Sequence, residues 1–227
     1  MRQRGDLDKR RRRSLRSEEL LADRREVRTI AHVGDVGRDL DDIRHRPTLT
    51  LDQRNLGATD ARSDLQLFTR GLEPTEHKMV YDALAAAEIL RSQPGIDPDR
   101  IIYAGESNGG RFAIIACALD AKARGVLAIS TSGYGTDAAV AKAGLTDKDT
   151  IRFYRSIDPE TYLSKIAPRP LAMIHSSNDP VIPYQLAEKT YTLASQPKSF
   201  DTVSCTTHGY CTEMNAYIEK RSLSMIT

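Results

Sequence analysis

The stretch that most constrains this chain is Gly105-Glu106-Ser107-Asn108-Gly109. An apolar run, 101–104, leads into it, and a helical pattern carrying Phe112, Ile114, Ile115, Ala118 and Leu119 follows. That order reads as strand, sharp turn, helix, with Gly-x-Ser-x-Gly at the turn. A serine at the tip of such a turn adopts a strained backbone. Side chains two residues before or after it would strike the neighbouring strand or helix, so Gly105 and Gly109 are required. The turn exposes the hydroxyl and aims the amide of Asn108 and the following helix N-terminus at the same space. Those N–H groups suit a developing oxyanion. The competing reading is a glycine-rich helix start with Ser107 as a capping hydroxyl.

The rest of the chain supplies a frame for that turn. Apolar runs near 28–33, 48–52, 101–105, 125–131, 171–176 and 199–204 read as strands. Helical patterns separate several of them, at 75–90 with Val80, Leu84, Ala87 and Leu90 or Ile89 on one stripe, and at 184–194. A closing amphipathic helix carries Met214, Tyr217 and Ile218. Asp97-Pro-Asp-Arg100 reads as a tight turn before the strand at Ile101. This alternation predicts an α/β fold, a mostly parallel sheet with helices on both faces. The polar segment 134–168 has room for one or two small helices, so a small or absent lid is expected.

Composition limits the alternatives. At 227 residues the chain fits one domain, 26–227, with a basic extension over 1–25 that is expected to be solvated. The block Arg10–Arg13 could mark a nucleic-acid arm, but no aromatic residues interleave with it, and nucleic acid is not an expected partner. Net charge is only +2. No apolar run approaches the ~18 residues of a membrane span, and no apolar stretch follows the N-terminal charges as in a secretory signal. A cytoplasmic location is therefore expected. Of three cysteines, Cys117 lies on an apolar helix. Cys205 and Cys211 flank His208 at a spacing that matches no zinc pattern, and free thiols are expected, with one disulfide as the alternative. The oligomeric state stays open.

Open parallel sheets place their sites at strand carboxyl ends. Ser107, Asp179 and His208 fall at three such ends. A serine hydroxyl needs a base to remove its proton, and that base needs an acid to fix its tautomer. Ser, then Asp, then His is the order of the nucleophile-elbow fold. Asp179 could be a simple turn residue and His208 a surface histidine. His32 and His175 compete as bases, although His175 sits inside an apolar strand and reads as packed.

With Gly105-Glu-Ser107-Asn-Gly109, His175-Ser-Ser-Asn-Asp179-Pro-Val-Ile-Pro183 and His208-Gly209 in order, the chain resembles the serine-nucleophile α/β-hydrolases. It is similar to small esterases, dienelactone-hydrolase-like proteins and oligopeptidase catalytic domains. Asp52-Gln-Arg54-Asn-Leu-Gly57 resembles that family's loop after its fourth strand, and the likeness covers roughly 48–227. The resemblance implies acyl transfer through a covalent intermediate. Ser107 would be the nucleophile, His208 the base and Asp179 its orienting acid. Asn108, with Val33 or Gly34, would form the oxyanion hole. The family usually has His-Gly directly in that loop, whereas this chain reads His32-Val33-Gly34. The expected substrate is a small carboxylic ester, with no metal or organic cofactor. Thioesterase, peptidase and a non-catalytic binding protein are the alternatives. A cysteine nucleophile, as in dienelactone hydrolases, is absent at 107.

Overall fold

The computed structural model describes the backbone of residues 27–33, 48–51 and 61–227, and side chains at 48–51 and from 64 onward. The basic extension, the Gly34 loop and the Asp52–Gly57 loop lie outside the described residues. Six strands form one sheet: β1 (Val27–Val33), β2 (Thr48–Leu51), β3 (Ile96–Glu106), β4 (Gly125–Ile129), β5 (Leu171–Ser176) and β6 (Lys198–Val203). Their order is β2-β1-β3-β4-β5-β6, and every described pairing is parallel.

The described helices are α1 (Ala61–Thr69), α2 (Thr75–Arg91), α3 (Asn108–Leu119), α4 (Thr136–Ala143), α5 (Lys148–Ile157), α6 (Tyr184–Leu193) and α7 (Asn215–Ile226). The period of two along β3 divides the core. Ile101 and Tyr103 face α2, α3 and α6, among Met79, Ala83, Ile114 and Ala187. Ile102 and Ala104 face the other way, onto Met214, Ile218, Met225 and Ile226 around α7. Strands β4 and β5 are buried along their whole length, as a sheet covered on both faces demands. Each fully buried Ile or Leu in them stabilises by about 1.5–3 kcal/mol relative to exposure.

Three local expectations change. The Asp97–Arg100 turn is part of β3, because Val27 pairs with Ile96 while Thr29 already pairs with Ile101. The extra residues bulge out of the ladder, and the Asp97 side chain accepts the Asp99 N–H at 3.0 Å within the bulge. On α2 it is Leu90 that points inward, with Ile89 56% exposed. Helix α1 was not expected. Its Phe68 packs on Phe153 of α5 with ring centroids 5.6 Å apart. The 134–168 segment carries α4 and α5 and two single 3-10 turns. Among the described residues no helix is long and apolar enough to cross a membrane.

Candidate active site

The centre is built at the carboxyl end of β3. Ser107 has φ 52° and ψ −119°, a left-handed conformation that an L-residue keeps only under constraint. Its N–H donates to the Ile129 carbonyl at 2.9 Å, and its carbonyl accepts from Thr131 Oγ1 at 2.7 Å. Those bonds to the end of β4 hold the turn. A Cβ at Gly105 would fall 2.2 Å from the Gly109 carbonyl oxygen, so helix α3 presses directly on the strand. Gly110, not singled out in the sequence, is equally confined, with Thr131 Cγ2 2.8 Å from where its Cβ would be.

The Ser107 hydroxyl does not cap α3. It lies 2.8 Å from Nε2 of His208, in the loop after β6. On the far side of that ring, Nδ1 lies 3.0 and 2.9 Å from the two oxygens of Asp179, in the loop after β5. A carboxylate can only accept, so Nδ1 carries the proton and Nε2 is left to accept from the serine. The Asp179 side chain is fully buried, whereas that of His208 is 22% exposed. Burial pulls the Asp179 pKa upward, but the N–H groups of Ile182 and Val181, at 2.9 and 2.8 Å, and His208 outweigh it. The carboxyl therefore titrates below its ordinary value.

The His208 loop is fastened on several sides. Ser130 Oγ donates to the Gly209 carbonyl at 3.0 Å, and Ser176 Oγ to the Cys205 carbonyl. Asn178 Nδ2 reaches the Ser204 carbonyl at 3.2 Å. Ser130 is itself fully buried with φ 46°. Nothing in its sequence context distinguished it from an ordinary polar residue at a strand end. Cys205 and Cys211 are joined as a disulfide across this loop, which replaces the expected free thiols at those positions. Cys117 remains a buried thiol, pushed up to about 12 mainly by burial.

Of the competing histidines, His175 is packed, as its strand context predicts. Its Nε2 donates to the Ile182 carbonyl at 2.9 Å and lies 3.8 Å from Asp179 Oδ2. Burial holds its pKa below the ordinary value, against the opposing pull of the Ile182 carbonyl and Asp179. His32 belongs to β1, where its backbone pairs beside Thr50 and Ala104. Val33 is the last described residue of β1 and sits opposite Gly105, level with the start of the turn. Gly34 lies outside the described residues.

Beside the turn, Arg111 links Asn108 to the next loop. It donates to Asn108 Oδ1 at 2.5 Å and to the Ser132 carbonyl at 2.8 Å, and stacks over Tyr134 at 4.2 Å. The Tyr134 and Thr136 N–H groups are held in turn by buried Asp158. The sequence reading missed both Arg111 and Asp158. Among the described residues, one set could offer three metal ligands: Cys205, Cys211 and Glu213. The disulfide already occupies its two sulfurs.

The chain is 30% identical over 126 residues to uncharacterized protein YfhR of Escherichia coli O157:H7, covering 55% of this chain and 44% of that relative. It thus spans about half the length of the curated relatives it matches. Among solved structures it is similar to the acetyl xylan esterase from Paenibacillus sp. R4, with TM-score 0.70 and 14% identity, covering 88% of this chain and 74% of that one. Est1E from Butyrivibrio proteoclasticus gives TM-score 0.65 and 16% identity, covering 91% and 90%. These likenesses identify the α/β-hydrolase fold. The family match contains Ser107 and stops just before Asp179. It spans residues 52–178, more than half of the chain, and on it the chain belongs to the acetyl xylan esterase (AXE1) family.

Proposed function

We propose that this chain is a serine esterase that cleaves small or short-acyl carboxylic esters through an acyl-enzyme on Ser107. The observation that carries the reading is the continuous path from Ser107 Oγ to His208 Nε2 at 2.8 Å and from His208 Nδ1 to Asp179 at 2.9 Å. In the proposed cycle, His208 takes the Ser107 proton as Oγ attacks the ester carbonyl. The oxyanion is held by the Asn108 N–H and by an N–H of the Val33–Gly34 segment. Protonated His208, with its charge offset by Asp179, then gives its proton to the departing alcohol. A water activated by His208 attacks the acyl group and returns Ser107 to its starting form.

Every step uses protein groups and water. The short helices α4 and α5, of 8 and 10 residues, support a modest enclosure and hence small acyl groups. The family's description as acetyl xylan esterase makes acetyl esters of carbohydrates the first natural class to test. Hydrolysis of a p-nitrophenyl ester series from acetate to laurate, with S107A as control, tests the reading. Turnover of the short esters by the wild type alone is expected. A folded wild-type protein that turns over no ester would refute it.

A further inference from the structure

The inference concerns the two cysteines on either side of His208, and it rests on the serine-esterase reading. We propose that Cys205 and Cys211 form a redox-modification site, at which a dithiol reversibly opens the disulfide and weakens the His208–Ser107 contact.

The placement carries this. His208 lies midway along the loop that the disulfide closes, three residues from each cysteine. One end is tied to the sheet, because the Cys205 carbonyl accepts from Ser176 of β5. The other end belongs to the entrance of α7, where the Met214 N–H donates to the Cys211 carbonyl at 2.9 Å. The disulfide is the covalent link between these two anchors. Opening it leaves Gly209, held by Ser130, as the inner fixed point and restores conformational freedom to the loop. A shift of about 1 Å in a reacting group can cost about 10²-fold in rate.

The chemistry balances within the site and one reductant. The more exposed sulfur is that of Cys211, since Cys205 is 8% exposed and Cys211 half-buried. A dithiol's thiolate attacks Cys211 Sγ, and the S–S bond breaks with Cys205 leaving as thiolate. Cys205 then takes a proton. Its sulfur lies 3.4 Å from Glu213 Oε2, which is placed to accept from the resulting thiol. The second thiol of the reductant, as thiolate, displaces Cys211 and departs as a cyclic disulfide. Two electrons have passed to the protein. Cys117 is fully buried and stays outside the exchange.

The test uses the full chain poised at graded ratios of reduced to oxidised dithiothreitol. Thiols are counted by alkylation and mass spectrometry, and kcat/KM is measured on p-nitrophenyl acetate. We expect kcat/KM to fall about 10-fold or more as two thiols appear at Cys205 and Cys211, with recovery on reoxidation. The C205S/C211S variant should match the reduced enzyme and ignore the reductant. Unchanged kcat/KM in fully reduced wild type would overturn the proposal, whether or not the variant folds. So would two thiols that never pair under oxidant. An oxidised, folded protein with no esterase activity would instead refute the esterase reading, and this inference with it.

Discussion

His208 Nδ1 lies 3.0 and 2.9 Å from the two oxygens of Asp179, and Oδ1 also accepts the N–H groups of Val181 and Ile182. The carboxylate is thus an orienting group for the ring and an anchor for the loop after β5. The D179N variant keeps an oxygen for the backbone but presents the wrong tautomer to His208. We predict a fall in kcat of about 10⁴-fold with KM little changed, read in steady-state kinetics.

The same residue makes a prediction for acid stability. Its folded pKa lies below its ordinary value. The stability it contributes is present above the unfolded value of about 3.9 and is lost as pH falls through the folded value. Wild type minus D179N stability should therefore shrink in that acidic window, measured by urea unfolding.

A second pair has the opposite sign. Asp64 Oδ2 and Glu76 Oε2 are both buried with no hydrogen-bond donor among the described residues. Burial, then the hydrogen bond to Asp64, raises Glu76 to about 7. A proton shared between the carboxyl groups suits both orphaned oxygens. The folded protein binds that proton more tightly than the unfolded chain. Stability is then full below the ordinary carboxylate value and falls as pH rises toward about 7. E76Q should melt higher than wild type at about pH 8, and the gain should vanish at about pH 4.

Ser130 separates strain from bonding. Its φ of 46° is unfavourable for any L-residue, and its hydroxyl holds Gly209. S130A loses the bond and keeps the strain, whereas S130G loses the bond and relieves it. S130G should be more stable than S130A by about 1 kcal/mol in denaturant melts, while both lower kcat.

At Gly105 the obstacle is backbone, since an added Cβ would meet the Gly109 carbonyl at 2.2 Å. Strand and helix must separate to admit it. G105A should lose at least about 1–3 kcal/mol in the same assay.

What the sequence revealed, and what it hid, follows from the range of each interaction. The turn at Ser107 is encoded within five residues, so its glycines and the following helix were legible. Strands β4 and β5 were legible because covered strands read as unbroken apolar runs. Helix α1 was not, since Arg62 and Asp64 interrupt its apolar residues and it packs through partly buried side chains such as Phe68. Ser130 and Asp158 act on chain segments tens of residues away, and a lone polar residue carries no mark of such a partner. The pairing of Cys205 with Cys211 depends on the curl of the loop around His208, which spacing alone does not specify.

The most direct test of the central claim is rapid quenching of the protein with p-nitrophenyl acetate, followed by peptide mass spectrometry. The account predicts a burst of nitrophenol and one acetyl group on the peptide containing Ser107, absent in S107A and accumulating where deacylation is slow. Hydrolysis that persists in S107A, or an acetyl group carried on another residue in a turning-over enzyme, would contradict it.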